Sequence, residues 1–405
     1  MHVVFIEPRF PANQRQFVRA LSDIGAKVTA IGEGSKDSLD DELKRWLTHY
    51  EEVRNVTDDG AVLGALRFIQ SKAHVDRFEA TVEAHIMPIA RVREAAGIPG
   101  TSVRTAFLCR DKPAMKEVLR DGGVPCAQST AASTAAEVHA FAEQVGFPLI
   151  LKPRDGAGAS GATRVESSAE LDAALSSFGG ARSIAVEEFI EGHEGFYDTL
   201  AINGGVAHDF VTHYYPNVLE AMRTRWISPQ FIATNRVDAA SAYEELRRLG
   251  ARVIQLLGLE TSATHMEWFF GPKGLKFSEI GCRPPGVGQW DSYCAGNEFD
   301  LYREWALAVC HRASDRPPSR RYSCGIIALR PDRDGVIGGY EGAAQIFDAI
   351  GDLVVGSHFP PPGTPTQAVA AGYMANAWMR VRHPDYDELR RILNGIGDTV
   401  KVRAH

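Results

Sequence analysis

The sequence predicts a fold of mixed class, α/β followed by α+β, and three observations support this prediction. A strand, a helix and a second strand succeed one another within residues 3–31, which is the pattern of a parallel βαβ unit. A glycine-rich turn at 156–161 separates two strand-like runs. Two apolar strands flank a tight Gly-Pro-Lys-Gly turn at 271–274 and indicate a β-hairpin. We therefore expect sheets in several parts of the chain.

Length and composition indicate an ordinary globular protein of two or three domains. The chain has 405 residues, of which 44% are hydrophobic and 23% are charged. Its net charge of −7 disfavours an obligate nucleic-acid binder, which usually presents a basic face. The sequence has no run of about 18 apolar residues, and its six cysteines include no Cys-x-x-Cys pair. We expect a cytoplasmic protein with reduced thiols, no nucleic-acid partner and no membrane contact.

The N-terminal α/β lobe is predicted to span residues 1–100. Its first strand, at 3–6, is followed by helical spacing of apolar residues, and Gly25 ends that helix. Residues 27–31 supply the second strand. The segment Ala-Ala-Gly-Ile-Pro-Gly at 95–100 ends a later helix and turns the chain, which places the first boundary there.

The central part is predicted to span 101–318 and to begin with a smaller subdomain at 101–185. Asp111 is a suitable N-cap for a helix, and Pro113 fits the first turn of that helix. A Thr-x-x-Glu capping box at 134–137 starts a second helix. Helices and strands therefore alternate here, as in a small α/β subdomain.

The glycine-rich segment 156–161 is a candidate phosphate-binding turn. It matches Gly-x-Gly-x-x-Gly, but a Thr-Arg-Val run of β type follows it instead of a helix, which disfavours a dinucleotide site. Ala-Thr follows Gly161, so the lysine of a P-loop is missing. A glycine turn can still cover phosphates with backbone N–H groups, and Lys152 in the preceding apolar strand requires an anionic partner. An exposed hairpin turn is the alternative interpretation.

The second central subdomain, 186–318, is predicted to be rich in strands, and a small α+β lobe at 319–405 follows it. Pro317-Pro318 mark the boundary between them. The elements predicted in this region are strands at 184–187 and 196–202, a helix at 240–257 and the hairpin at 264–280.

The hairpin carries two glutamates, Glu267 and Glu279, near the same end of adjacent strands. Two neighbouring carboxylates repel each other unless a cation or a proton lies between them. Mg²⁺ suits such a site because it takes hard oxygen ligands and phosphate oxygens. His265 is expected to be structural, since a hard cation does not favour imidazole. The alternative is a carboxylate pair on a solvated sheet edge.

The acidic segment that joins two predicted strands, 187–194, is a candidate nucleotide hinge. Extended backbone at Glu188, Phe189 and Ile190 can hydrogen-bond an adenine edge, and apolar neighbours can stack on the ring. Glu194 lies beyond a glycine turn and can reach ribose hydroxyls. An ordinary acidic loop is the alternative.

These features occur in the order found in the ATP-grasp superfamily, and the resemblance covers most of the chain. It implies an ATP-grasp fold with an N-terminal Rossmann-like lobe, a central domain that grips ATP between two antiparallel sheets, and a small C-terminal α+β lobe. It also implies ATP as the cofactor, with Mg²⁺ or alternatively Mn²⁺ as the metal.

The resemblance further implies a role for each site residue. Glu267 and Glu279 resemble the metal ligands, and Arg283 resembles the catalytic arginine that follows the second ligand. Many members carry Glu-x-Asn-x-Arg on this strand, whereas Gly281 stands at the asparagine position here. The residues that resemble ATP-binding positions are Lys112, Lys152, Gly156, Gly158, Ser160, Gly161, Glu187, Glu188, Phe189, Ile190, Glu194 and Phe269.

Within the superfamily, the C-terminal lobe resembles those of L-amino acid ligases and biotin carboxylases. The similarity lies in segments 335–340, 377–381 and 385–393. Biotin carboxylases usually have a lysine in a very glycine-rich loop and a Gln-Val-Glu-His run after the arginine. Ala-Ser fills the loop in this chain, and Pro-Pro-Gly follows Arg283. This difference favours ligation of a carboxylate to an amine.

The resemblance therefore implies an ATP-dependent carboxylate–amine ligase that forms an amide bond through an acyl phosphate and releases ADP and phosphate. Its partners would be a small-molecule carboxylate and a small-molecule amine, and a homodimer is left open as the assembly. Biotin carboxylase-like carboxylation is one alternative. A non-catalytic nucleotide-binding protein is the other, and only Gly281 suggests it.

Overall fold

A computed structural model describes residues 1–153, 162–177, 184–372, 374 and 376–405. Four β-sheets lie within these residues, accompanied by α-helices. The predicted mixed α/β and α+β class is confirmed. None of the helices in the described ranges is both long enough and apolar enough to cross a bilayer.

The N-terminal lobe contains a parallel sheet, as its βαβ pattern predicts. Its elements are β1 (His2–Ile6), α1 (Gln14–Asp23), β2 (Lys27–Glu33), α2 (Asp41–Trp46), β3 (His49–Val53), α3 (Asp59–Gln70), β4 (Arg77–Glu79) and α4 (Glu83–Ala96). The four strands are ordered β3-β2-β1-β4 and all pairs are parallel. The carboxyl ends of β1 and β4 therefore lie at one edge, so the loops that follow them enter the same cleft.

A smaller antiparallel sheet follows. Its region contains α5 (Val103–Leu108), α6 (Lys112–Asp121), β5 (Ser129–Ala132), α7 (Ala135–Val145), β6 (Leu149–Pro153), β7 (Thr163–Val165), α8 (Ser168–Ser177) and β8 (Ile184–Glu188). The strand order is β5-β8-β6-β7. Asp111 caps α6 by accepting a hydrogen bond from Ala114 N at 3.0 Å, and a full capping box starts α7. Strand β8 extends across the predicted division at 185.

The second central part supplies the strands that carry Glu267 and Glu279. Its elements are β9 (His193–Ile202), β10 (Gly205–Tyr215), α9 (Val218–Ala221), β11 (Gln230–Ala233), α10 (Ala242–Leu257), β12 (Ser262–Gly271), β13 (Gly274–Gly281), α11 (Gln289–Asn297) and α12 (Leu301–His311). Strands β12 and β13 form the predicted hairpin, and Glu267 lies directly opposite Glu279 in its register.

The C-terminal residues extend the same sheet. They form β14 (Ser323–Leu329), β15 (Ile337–Glu341), α13 (Ala343–Ile350), β16 (Val354–His358), β17 (Ala377–His383), α14 (Tyr386–Thr399) and β18 (Lys401–Ala404). The large sheet has eight antiparallel strands in the order β13-β12-β9-β10-β11-β14-β17-β16, while β15 and β18 pair separately. The sheet therefore continues across the predicted boundary at 318, and the division into lobes stays a prediction.

An aromatic core holds the N-terminal lobe against the central part. Phe17 of α1 is fully buried, and three rings lie with their centroids 4.9 to 5.1 Å from its own, those of Trp290, Tyr302 and Trp305. Burial of one such side chain stabilises the folded state by about 1.5–3 kcal/mol, and each ring pair adds about 0.5–1.5 kcal/mol. This packing fixes the loop after β1 beside the metal-bearing strands.

Candidate active site

The hairpin brings its two glutamates together on one face of the large sheet. Glu267 and Glu279 are directly opposed across β12 and β13, and directly opposed residues of an antiparallel pair project to the same side. Glu194 on β9 pairs with Phe269, two positions from Glu267, and therefore shares that face. Three carboxylates thus converge here.

The charge of this cluster suits a divalent cation. Burial, together with the charges of Glu279 and Glu194, raises the pKa of Glu267 to about 8. Burial and Glu279 likewise raise the pKa of Glu194 to about 7, although a backbone N–H opposes the change. Burial would also raise the pKa of Glu279, but the nearby Lys112 and Lys152 lower it. Carboxylates whose pKa values are raised by burial and by mutual repulsion are suitable ligands for Mg²⁺, because a divalent cation offsets both effects.

Glu267 and Glu279 would have to share the cation with oxygens from other molecules. Among the described residues, no group of three or more histidine, cysteine, aspartate or glutamate side chains is arranged to hold a metal ion. Mg²⁺ commonly uses one or two protein carboxylates and fills its remaining positions with substrate phosphates and water. The two glutamates fit that arrangement, and their role as metal ligands stays a prediction.

A compact basic cluster lies opposite the glutamates. Lys116 Nζ and Lys152 Nζ lie 2.7 Å and 2.8 Å from the same oxygen, Glu187 Oε2. Burial would raise the pKa of Glu187, but the two ammonium groups lower it to about 2. Burial lowers the pKa of Lys116 to about 8, with Lys152 adding to the effect against the attraction of Glu187. Two lysines facing one carboxylate provide positive charge for an anion such as phosphate.

The two lysines of α6 occupy different places. Lys112 Nζ lies 3.2 Å from Glu279 Oε2, and Lys112 lines a small cleft behind that glutamate. Lys116, one turn later, lines the larger cavity beside Lys152. Lys112 was predicted from the sequence and Lys116 was not, although the i, i+4 spacing places both lysines on one helix face. The predicted contact of Lys112 with phosphate is not tested by this geometry.

A cavity of about 660 Å³ lies between the small and large sheets and gathers the other predicted residues. Arg164 covers the ring of Phe189 at 4.1 Å from its centroid, on the small-sheet side of this cavity. Gly156, Gly158, Ser160 and Gly161 lie outside the described residues. The predicted residues that line the cavity are Lys152, Glu187, Glu188, Phe189, Ile190, Glu194, Glu267, Phe269 and Glu279.

Backbone groups in the predicted hinge are partly engaged within the protein. Glu188 N donates to Gln128 O at 2.9 Å, and Phe189 N donates to Pro148 O at 3.1 Å. The Glu188 carboxylate pairs with Lys273 at the rim. Two of the three hinge N–H groups are therefore already used, and a base edge would have to be read by the carbonyls of the segment or at Ile190.

The carboxylate and the backbone N–H of Glu194 also form hydrogen bonds within the protein. Its Oε2 accepts a hydrogen bond from Val218 N at 2.7 Å, at the start of the short helix α9. Its backbone N–H donates to Asn217 Oδ1 at 3.1 Å. The carboxylate therefore positions α9 beside the cavity, and its predicted contact with ribose stays a prediction.

A second chamber of about 610 Å³ adjoins the first. Glu267, Glu279 and Val218 line both cavities. The second chamber receives residues from the loops after β1 and β4 and from segment 283–288. The carboxylate pair therefore stands at the junction of two spaces, each large enough for a small molecule. This chamber was not predicted from the sequence.

Arg283 lies in the second chamber, next to the metal strand. Its Nε donates to Glu83 Oε2 at 2.8 Å, and its Nη1 donates to Pro284 O at 2.9 Å. Arg110 Nη1 lies 3.3 Å from the other oxygen of Glu83. A β carbon at Gly281 would lie 3.3 Å from Glu83 Oε2 and 3.4 Å from Arg283 Cγ. The ion pair therefore occupies the space into which an asparagine side chain at 281 would project.

His265 belongs to the wall of the second chamber. Its Nδ1 lies 2.7 Å from Asp198 Oδ1, and the hydroxyl of the buried Tyr293 donates to the other oxygen of that carboxylate. His265 Nε2 lies 3.9 Å from Glu267 Oε1. The expected structural role fits the bond to Asp198, and the side chain also orders the polar end of the chamber.

Substituting each lysine of α6 separately tests which one binds phosphate. We expect Lys116→Met to weaken ATP binding by about tenfold to a hundredfold, because one charge-assisted contact contributes about 1.5–3 kcal/mol. Lys112→Met should change ATP binding little and should raise the Mg²⁺ concentration needed for activity, since Lys112 contacts Glu279. Calorimetric titration with ATP and a Mg²⁺ titration of activity measure both effects. Lys276→Met, on β13, is the control, and equal ATP affinities of the two α6 variants would contradict the assignment.

Comparison with known proteins gives a family match in the central part of the chain and several relatives of low sequence identity. Residues 117–299 match the model of the ATP-grasp domain family. The L-arginine-specific L-amino acid ligase of Bacillus subtilis is 27% identical over 251 residues, which cover 60% of this chain and 60% of that protein. The formate-dependent phosphoribosylglycinamide formyltransferase of Chlorobaculum tepidum is 26% identical over 309 residues, or 73% of this chain and 74% of that protein. The first of these matches thus spans less than two thirds of the relative.

The fold is shared along the whole chain. The crystal structure of an L-amino acid ligase from Bacillus licheniformis superposes with a TM-score of 0.78 at 16% identity, covering 100% of this chain and 98% of that one. Such low identity shows the fold alone. The predicted resemblance is confirmed: this chain carries an ATP-grasp domain at residues 117–299 and has an ATP-grasp fold.

Proposed function

We propose that the protein is an ATP-dependent carboxylate–amine ligase that activates a carboxylate as an acyl phosphate and releases ADP and phosphate. The observation that carries this proposal is the position of Glu267 and Glu279 at the junction of the two chambers. A nucleotide in the first chamber and a carboxylate in the second would meet at this pair. The relatives named as amino acid ligases support the same activity.

The first chamber suits ATP because its apolar and cationic walls are separate. Phe189, Ile190 and Phe269 supply apolar surface for a base, while Lys116 and Lys152 supply positive charge for phosphates. When bound by the two glutamates, Mg²⁺ would neutralise negative charge on the phosphates. The predicted contribution of segment 156–161 to phosphate binding belongs to this proposal.

The reaction divides into two displacements. A carboxylate oxygen of the substrate attacks the γ-phosphorus, the bond to the bridging oxygen of ADP breaks, and an acyl phosphate forms. The amine then attacks the acyl carbon, phosphate leaves with the electron pair of the broken bond, and the amine loses a proton. Lys116 and Lys152 offset the charge of the transferred group, and Arg283 orients the carboxylate with its planar fork. The protein acts mainly by positioning the reactants.

The apolar wall of the second chamber favours ligation over biotin carboxylation. Bicarbonate has no apolar part to bury, whereas Phe17, Phe196 and Phe231 line this space. Lys116, Lys152, Glu267 and Glu279 together provide the charges that phosphoryl transfer requires, which gives no support to a non-catalytic role.

Identification of the products tests the proposal. The protein, Mg-ATP and pairs of amino acids should yield equal amounts of ADP and phosphate, because attack occurs at the γ-phosphorus. Nucleotide chromatography and mass spectrometry of the amide product measure this result. Reactions without amino acids and reactions with biotin and bicarbonate serve as controls. AMP with pyrophosphate, or turnover only with biotin and bicarbonate, would contradict the proposal.

A further inference from the structure

We propose that the second chamber selects an α-amino acid with an apolar side chain as the carboxylate substrate. The proposal rests on the ligase function and adds the class of its acyl donor. Three properties of the chamber support it: a continuous apolar wall, a polar end with both signs of charge, and the confinement of charge to that end.

The wall is built from neighbouring strands of the large sheet. Phe196 on β9, Tyr214 on β10 and Phe231 on β11 are buried and contact one another in sequence, with ring centroids 5.0 Å and 6.3 Å apart. Phe17 closes one side, and Met222 at the end of α9 closes another. An apolar side chain would displace water from this surface and gain about 25 cal/mol per Å² of buried apolar area.

The polar end presents an acid and a base that contact each other. The Glu83 and Arg283 side chains are 25% and 18% exposed, and both line the chamber. The described residues supply no partner for Arg283 Nη2, whose neighbours Nε and Nη1 are engaged. A guanidinium beside a carboxylate complements a zwitterion, because one group attracts the substrate carboxylate and the other attracts the ammonium.

Charge is confined to this end of the chamber. The carboxylate, imidazole and guanidinium side chains among the described lining residues are those of Glu83, His265, Glu267, Glu279 and Arg283. Glu83 pairs with Arg283, and Glu267 lies near His265 and opposite Glu279. Four of these five residues, Glu83, His265, Glu279 and Arg283, also line the small cleft behind Glu279, so the five form one group. A charged substrate side chain that reached the aromatic wall would therefore be buried without an opposite charge, which is unfavourable. This feature distinguishes the chamber from one built for a cationic amino acid.

The first test compares amino acids as acyl donors with one fixed amine acceptor. We expect leucine, methionine and phenylalanine to give kcat/KM values at least about tenfold above those of lysine, arginine and glutamate, measured as phosphate release with the full chain and Mg-ATP. Equal or higher values for the charged amino acids would overturn the proposal while leaving the ligase function intact. A rate of phosphate release that no amino acid increases would reject the ligase function itself.

The second test concerns the zwitterion. 4-Methylpentanoate has the carbon skeleton of leucine without its amino group. If Glu83 attracts the ammonium, this acid should lose at least about tenfold in kcat/KM relative to leucine. Equal rates would show that the chamber selects apolar carboxylic acids in general, which would overturn the amino acid part of the proposal.

A pair of variants locates the selection. Met222→Glu places a carboxylate in the apolar wall and should shift the ratio of kcat/KM for lysine over leucine upward by at least about tenfold. Met87→Glu makes the same change at a half-buried methionine of α4 that lines neither cavity, and it should leave the ratio unchanged. Because a ratio of substrates is compared within one variant, partial loss of folded protein does not affect it. A ratio that shifts equally in both variants, or in neither, would contradict the assignment of the wall.

Discussion

Glu279→Gln is expected to lower turnover by about a thousandfold, which corresponds to about 4 kcal/mol in the activation barrier. The variant keeps the shape of the side chain but removes one of two carboxylates opposed across the hairpin. It also removes the ion pair with Lys112. The measurements are kcat at saturating Mg-ATP and a Mg²⁺ titration of activity, in which half-maximal activity should require a higher Mg²⁺ concentration than in the unmodified protein.

The thermal stability of the same variant should change little. Loss of the attraction to Lys112 and relief of the repulsion from Glu267 act in opposite directions, so we expect the Tm to shift by no more than about 4 °C. Glu304→Gln is the control, because Glu304 is a buried carboxylate that pairs with His208 and lines neither large cavity. Normal turnover in Glu279→Gln, or equal losses in both variants, would show that the carboxylate pair is only structural.

Arg283→Lys is expected to lower turnover by about a hundredfold, or about 2.7 kcal/mol in the barrier. Lysine keeps the charge beside Glu83 but lacks the planar fork that can hold Glu83 through Nε and a substrate carboxylate through its remaining donors. ATP affinity should change little, since Arg283 does not line the nucleotide cavity. Steady-state kinetics and a nucleotide titration separate the two effects.

Arg110→Lys is the matched control for this experiment. Arg110 contacts the same Glu83 but lies outside both large cavities. If Arg283 acted only by holding Glu83, the two lysine variants would lose similar activity. A large loss confined to Arg283→Lys supports direct contact with the substrate, whereas a loss of ATP affinity would assign Arg283 to nucleotide binding.

Local patterns allowed the pairing of the hairpin strands and the burial of Lys152 against a carboxylate to be predicted from the sequence. A tight turn at 271–274 sets the pairing of the hairpin, so counting along the two strands placed Glu267 and Glu279 near the same end. Their direct opposition depends on an irregularity in the register after Glu267, which the count did not include. Lys152 in an apolar strand required an anionic partner, and Glu187 now provides one. Such inferences succeed because the partners are close in sequence or because a buried charge demands a partner.

Features that depend on distant contacts were not predictable in this way. Lys116 reads as an ordinary polar residue of an amphipathic helix, and only the position of β8 reveals that it is buried against Glu187. The second chamber combines the loops after β1 and β4 with strands β9 to β11 and segment 283–288. No sequence period connects these pieces, because tertiary packing alone brings them together.

The continuous hydrogen bonding of the eight-stranded sheet determines which parts of the molecule can move. Bending that sheet would break backbone hydrogen bonds between β11 and β14. The C-terminal strands must therefore move together with the strands that carry Glu267 and Glu279. The small sheet has its own hydrogen-bond ladder. The chain enters it after Cys126, which bridges to Phe277 of β13, and leaves it at 189–192. We therefore expect residues 127–128 and 189–192 to serve as hinges when the nucleotide is enclosed. Lys152 and Glu187 would then move with the small sheet while the aromatic wall keeps its shape. Recognition of the acyl donor and enclosure of the phosphates therefore depend on different parts of the molecule.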